Sequence, residues 1–309
     1  MAYVLETFNL SKRYKHQWAL KDVNIHISKG DIYGFVGENG SGKTTVIRLV
    51  TGLISATRGG IALFGVRDDN PRILEQRRRM GAVVETPSIY LNMSASENLR
   101  QQCCILGVSD NAEERIQDVL AEVGLSALYQ DKKKAGDFSL GMRQRLGIAM
   151  ALLGEPELII LDEPMNGLDP TGIVEIRELI LKLNRSKEIT FFISSHILSE
   201  LSLVATKYGI ISKGQLLAEV SAGELQQQCR PSISIRVGNT EALRTLLIGY
   251  LPPEDLVLTE WGARIYGVVS LNELLQKILD AGIEILDISS RQTNIENYYL
   301  ALVGGMQNA

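Results

Sequence analysis

The stretch Gly37-Glu38-Asn39-Gly40-Ser41-Gly42-Lys43-Thr44 constrains this chain more than any other. It fits G-x-x-x-x-G-K-[ST], a backbone cradle for phosphates that functions between a strand and a helix. Both flanks are present. Asp31-Ile32-Tyr33-Gly34-Phe35-Val36 is apolar enough for a buried strand, and Thr45-Val46-Ile47-Arg48-Leu49-Val50 can open a helix. Glycines let successive backbone N–H groups converge on an anion. The helix adds the positive end of its dipole. In such a loop Lys43 reaches the β- and γ-phosphates of a nucleotide and the Thr44 hydroxyl ligates Mg²⁺, with Thr45 beside them.

Composition narrows the class. The 309 residues allow one large domain, or a large and a small one. A hydrophobic content of 45% suits a sizeable globular core. The formal net charge of −4 gives no general nucleic-acid signal, and no nucleic-acid partner is expected. Cys103, Cys104 and Cys229 lack metal-ligand spacing, which fits a reducing compartment. There is no signal peptide and no apolar run of about 18 residues, so the chain is not expected to cross a membrane itself.

Two further strand ends gather chemistry. Glu157-Leu158-Ile159-Ile160-Leu161-Asp162-Glu163 is an unbroken apolar run ending in two acids. Such a strand belongs at the centre of a parallel sheet covered on both faces, and ligands bind beyond the carboxyl ends of these strands. Asp162 is placed to hold Mg²⁺, and Glu163 to orient or deprotonate an attacking water. Ile189-Thr190-Phe191-Phe192-Ile193 is a third such strand, ending in Ser194-Ser195-His196. His196 would reach the same edge and bond a γ-phosphate or a water.

The remaining pattern is read more coarsely. Tyr3–Leu10, Val23–Ile27 (with His26 on the solvated face), Ile61–Phe64 and Met80–Val84 predict strands, and Arg72–Arg79 a helix. Ser94-Ala95-Ser96-Glu97 is a capping box, and Gly107 closes its helix; Asn111 predicts a similar start, and Gly124 the end. No strand follows until after Leu153, so residues 88–153 form a helical insertion. From about residue 226 the order changes to β-α-β-β-α-β: Ser232–Val237, Glu241–Tyr250, Leu256–Leu258, Ile265–Val269, Leu271–Ala281 and Ile283–Ile288. That is a ferredoxin-like accessory domain, followed by a helix over 294–303 and bearing no catalytic pattern.

Phe138-Ser139-Leu140-Gly141-Met142-Arg143-Gln144-Arg145 resembles the signature motif of ATP-binding cassette (ABC) ATPases. The usual core is Leu-Ser-Gly-Gly-Gln followed by x-Gln-Arg; Ser139, Gly141, Gln144 and Arg145 are kept, and Phe138, Leu140 and Met142 depart from it. Gly154-Glu155-Pro156 and Asn166-Gly167-Leu168-Asp169-Pro170 also match, and the resemblance covers residues 1–225. It implies an α/β P-loop NTPase core with an antiparallel β subdomain and a helical insertion, followed by the small α+β domain over 226–309. It further implies ATP and Mg²⁺ as ligands and a head-to-tail homodimer enclosing two ATP molecules. In that dimer Ser139 and Gly141 would contact the partner's γ-phosphate, and Asp169 would lie at the seam. Tyr14 matches the aromatic that stacks on adenine. Glu85 stands where the family usually has a glutamine that ligates Mg²⁺; a carboxylate there adds charge and only accepts when ionised.

Glu85-Thr86-Pro87 and the signature segment look most like the branch of exporters that protect bacteria from bacitracin and lantibiotics. The resemblance thus implies an ATPase on the cytoplasmic face of the membrane, driving separate transmembrane permease subunits. The alternatives are a soluble cassette ATPase acting on ribosomes or nucleic acid, and a non-enzymatic regulatory module. Soluble cassettes of that kind usually join two cassettes or carry a long coiled coil, and this chain has one phosphate loop and a short insertion.

Overall fold

The computed structural model describes residues 3–266, 270–291, 297–300 and 302. The chain divides into two compact units, Met1–Ala222 and Gly223–Ala309. The first opens with β1 (Tyr3–Tyr14), β2 (Gln17–Val23), β3 (His26–Ser28), β4 (Ile32–Val36), α1 (Lys43–Val50), β5 (Arg58–Leu63), β6 (Val66–Arg67), α2 (Ile73–Arg77) and β7 (Met80–Val83). It continues with α3 (Ala95–Leu106), α4 (Ala112–Glu122), α5 (Leu140–Leu152), β8 (Leu158–Asp162), α6 (Pro170–Lys187), β9 (Thr190–Ser195), α7 (Leu198–Leu201), β10 (Lys207–Ser212) and β11 (Gln215–Ser221). Then come α8 (Ala222–Gln228), β12 (Ser232–Val237), α9 (Thr240–Ile248), β13 (Leu256–Thr259), β14 (Gly262–Tyr266), α10 (Leu271–Asp280) and β15 (Ile285–Arg291).

The central sheet has the order β11-β10-β4-β9-β8-β7. Neighbours from β10 to β7 are parallel, and β11 closes one edge as an antiparallel hairpin. Every residue of β4, β8 and β9 is buried, because a parallel strand has helices or another layer on both faces. The rings of Tyr33, Phe35 and Phe192 interlock across β4 and β9, with centroids 5.4–6.5 Å apart, the offset and edge contacts aromatic quadrupoles favour. With β4, β8 and β9 side by side and parallel, the phosphate loop, Asp162-Glu163 and Ser195-His196 all leave one edge of the sheet.

The second sheet is antiparallel, in the order β2-β1-β5-β6, with β3 also paired to β1. Here the sequence expectation needs correction. The first strand runs on to Tyr14 and turns directly into β2, a hairpin the pattern concealed. Irregularities between Leu10 and Lys12 and between Lys12 and Arg13 break the alternation that would have marked it. The single strand expected over Val23–Ile27 is instead the end of β2 and the start of β3. His26 is not merely solvated: its Nδ1 lies 2.9 Å from Glu219 Oε2 and its backbone N–H donates to Glu219 Oε1.

The helices α3, α4 and α5 fall between β7 and β8 without an intervening strand. Ser94 Oγ accepts from the Glu97 N–H while Glu97 accepts from Ser94 N–H, a complete capping box. Gly107 ends that helix in the left-handed conformation. The start of α4 differs from the expected cap, since Asn111 is itself left-handed and caps no backbone donor with its side chain.

The second unit holds a four-stranded sheet in the order β13-β14-β12-β15, antiparallel throughout. Leu243 and Leu247 of α9 and Leu274 and Ile278 of α10 pack with Ile235, Ala263 and Ile265 in its core. Residues 267–269 of the third expected tail strand lie outside the described residues. So do residues 294–296, 301 and 303 of the expected last helix; residues 297–300 are helical.

Candidate functional site

The phosphate loop joins β4 to α1, whose first residue is Lys43. Gly42 has φ +113°, a region L side chains rarely adopt, and a Cβ there would stand 2.6 Å from Leu20 Cδ2. Ser41 Oγ is buried and has no hydrogen-bond partner among the described residues, and a buried hydroxyl normally has one. A phosphate oxygen in the loop would satisfy it, so the residues present fit a nucleotide's phosphates.

Lys43 is 6% exposed, and its Nζ lies 2.7 Å from the Gly37 carbonyl, 3.2 Å from the Glu38 carbonyl and 3.2 Å from Glu163 Oε1. Glu163 sits just past β8 with φ +51°, a left-handed conformation that costs a non-glycine residue roughly 1–2 kcal/mol. Its other oxygen is 2.7 Å from His196 Nδ1. One carboxylate is thus held between an ammonium from the first turn of α1 and an imidazole from the end of β9.

Asp162 is 2% exposed, and the Ser194 hydroxyl donates to its Oδ1 at 2.5 Å. The same Ser194 Oγ accepts from the Glu163 N–H at 3.0 Å. Ser194 therefore fixes both acids at once. The Ser-Ser-His segment was visible in the sequence, but the pairing of β8 with β9 that puts Ser194 opposite Asp162 was not. Thr44, half-buried in the first turn of α1, and Asp162 offer the hard oxygen donors Mg²⁺ prefers. Among the described residues no cluster of three His, Cys, Asp or Glu side chains could hold a metal alone. A Mg²⁺ here would take its remaining ligands from phosphate and water.

Glu85 follows β7 at the edge of the same sheet, also left-handed, at φ +59°. Its carboxylate forms an ion pair with Arg48 of α1. Tyr14 ends β1 at the hairpin, 45% exposed, with Lys12 Nζ 5.2 Å from its ring centre.

Ser139, Gly141 and Asp169 are brought together elsewhere. They line one cleft with Gly167 and Gly172, and no residue of 37–44 lines it. Ser139 caps α5, its side chain accepting from the Met142 N–H, and Asp169 caps α6 by accepting from the Gly172 N–H at 3.0 Å. Two helix N-termini therefore face one cleft, a setting that favours an anion. Gln144 of α5 links this region to the acids, donating from Nε2 to the Pro164 carbonyl at 3.1 Å.

Comparison with known proteins bears on this geometry. The family model described as "ABC transporter" matches residues 20–166. The bacitracin transport ATP-binding protein BcrA of Bacillus licheniformis is 41% identical over 309 residues, covering 99% of each chain. The lantibiotic transport ATP-binding protein SrtF of Streptococcus pyogenes is 44% identical over 216 residues, 70% of this chain and 90% of that one. Among solved structures, cbiO1 from Clostridium perfringens, part of the ABC transporter complex cbiONQ, superposes with a TM-score of 0.66. It is 26% identical and covers 73% of this chain and 91% of its own.

Proposed function

The chain belongs to the ATP-binding cassette family as the ATP-binding, ATP-hydrolysing subunit of an ABC transporter, and from that premise we propose that it powers the export of a peptide antibiotic of the bacitracin or lantibiotic kind. The observation that carries the proposal is the 41% identity to a bacitracin transport ATP-binding protein along 99% of both chains. The reading of a soluble ATPase acting on ribosomes or nucleic acid finds no support in these relatives.

In this reading the loop N–H groups and Lys43 hold the β- and γ-phosphates, and the adenine stacks on Tyr14. Thr44 and Asp162 would hold Mg²⁺, which neutralises charge on the phosphates when bound. Glu163 takes a proton from the attacking water, its carboxylate aimed by His196 once Lys43 turns from it to the phosphates. His196 keeps that carboxylate aimed through Nδ1, leaving its other ring nitrogen to bond a water beside the γ-phosphate. Two copies meet head to tail, so that the α5 N-terminus of one, with Ser139 and Gly141, closes on the γ-phosphate held by the other. Asp169 sits at that seam. A separate transmembrane permease rides on the dimer, and the cassette works at the cytoplasmic face of the membrane. Among the described residues no helix is long and apolar enough to span a bilayer.

The test pairs biochemistry with resistance. The tagged chain, purified from solubilised native membranes, is expected to bring down a multi-span membrane protein in roughly equal amount. Deleting the chain's gene is expected to lower the inhibitory concentration of bacitracin or a lantibiotic. Recovery with ribosomes, or unchanged sensitivity to both classes of peptide, would overturn the proposal.

A further inference from the structure

Helix α1 supplies a cation to each of two acids at the sheet edge. Lys43, its first residue, pairs with Glu163 beyond β8, and Arg48 pairs with Glu85 beyond β7. The first pair belongs to the nucleotide site. The second has no part in the mechanism above.

Arg48 lies four residues after Thr44, and positions i and i+4 share one face of a helix, about 5–6 Å apart. The guanidinium that holds Glu85 is therefore anchored one turn from the hydroxyl that would hold Mg²⁺. Glu85 comes from β7, whose neighbour β8 delivers Asp162. Three carboxylates (Glu85, Asp162 and Glu163) thus emerge from adjacent strand ends. Asp162 is buried and bonded by Ser194, Glu163 is held by Lys43 and His196, and Glu85 is 54% exposed and held by Arg48. Its left-handed backbone, φ +59°, fixes where the side chain starts; Arg48 fixes where it ends.

We infer that Arg48 is a positioning residue for Glu85, holding its carboxylate one helical turn along α1 from Thr44 in competition with the metal that would bind there, so that the chain tolerates an acid where an uncharged amide would need no such partner. This rests on the proposed nucleotide site. Glu85 has two alternative partners, Arg48 and the metal bound with the nucleotide, and Arg48 sets the balance between them. Without Arg48 the carboxylate swings to the metal and strengthens its binding.

A double-mutant cycle on the full chain tests this, with Mn²⁺ as probe and a non-hydrolysable ATP analogue present. Bound Mn²⁺ is read by electron paramagnetic resonance, so turnover is not the readout. Arg48→Ala is expected to tighten Mn²⁺ binding about two- to fivefold, the range an exposed ion pair delivers. In the Glu85→Gln background the same change is expected to have markedly less effect. Arg48→Lys, which keeps the charge, is expected to fall between. Equal effects of Arg48→Ala in both backgrounds would mean simple repulsion of the metal by the guanidinium and would overturn the inference. Absence of nucleotide-dependent Mn²⁺ binding in the unaltered chain would instead overturn the site on which the inference rests.

Discussion

At the scale of single residues, position alone decides what an acid can do. Asp162 and Glu163 are neighbours in sequence, yet one is buried under a serine hydroxyl and the other bridges a lysine and a histidine. Glu163→Gln keeps the shape and loses the base, so ATP binding is expected to persist while turnover falls about 10²- to 10⁴-fold. Equilibrium binding beside steady-state phosphate release checks this, and near-normal release would reassign the base. Ser194→Ala removes the hydroxyl that fixes both acids without touching nucleotide. Loss of such a supporting contact costs about 10- to 100-fold in activity or metal affinity, and a raised Mg²⁺ requirement for turnover is the expected sign. The loop, the two acids and His196 were legible because each sits at a strand end marked by an apolar run. Ser194 was not, because its role depends on which strand lies next to which. Arg48 was hidden for the same reason: its partner Glu85 is 37 residues away.

At the scale of elements, local signals were the ones that could be read. The capping box at Ser94 is spelled within four residues, and the structure holds both of its hydrogen bonds. Ser94→Ala is expected to cost about 1 kcal/mol in chemical denaturation. Glu97 adds a pH dependence. Its carboxyl is held below its ordinary 4.5, first by the Ser94 backbone N–H and then by Lys134. A group with a lowered folded-state pKa contributes fully above its unfolded value and loses that contribution as the pH falls through the folded one. The stability difference between the unaltered chain and Glu97→Gln is therefore expected to be constant at neutral pH and to close below about pH 4.5; a gap that persists in acid would count against the cap. Elements built on distant partners could not be read this way. The His26 contact comes from Glu219, 193 residues on. The same carboxylate accepts from the buried Tyr33 hydroxyl, and burial, reinforced by the Glu219 charge, pushes that phenol well above its ordinary range.

At the scale of the whole molecule, the chain holds two cores built on different plans. The first unit packs Leu5, Leu20, Phe35, Val46, Leu158 and Phe192 around mixed and antiparallel sheets; the second packs α9 and α10 on one sheet. The change of plan was legible as a change in the order of elements, to β-α-β-β-α-β from about residue 226. What the tail does was not, since its residues carry no chemical pattern. Each core is complete enough to suggest independent folding, and the lantibiotic relative aligns with this chain over 216 residues that make up 90% of its own length. A fragment ending at Ser221, the last residue of β11, keeps the central sheet, the phosphate loop, both acids, His196 and the Ser139 cleft. It is expected to unfold cooperatively and to bind ATP with an affinity within about threefold of the full chain, since none of the groups proposed to touch nucleotide lies beyond it. Thermal unfolding over a series of nucleotide concentrations reads both properties, because a ligand that binds only the folded form raises the midpoint with the logarithm of its concentration relative to Kd. A fragment that folds but shows no nucleotide-dependent shift would place a nucleotide-binding determinant in the tail. One that shifts like the full chain yet fails to restore antibiotic resistance would assign the tail to the coupling of the cassette with the proposed membrane partner.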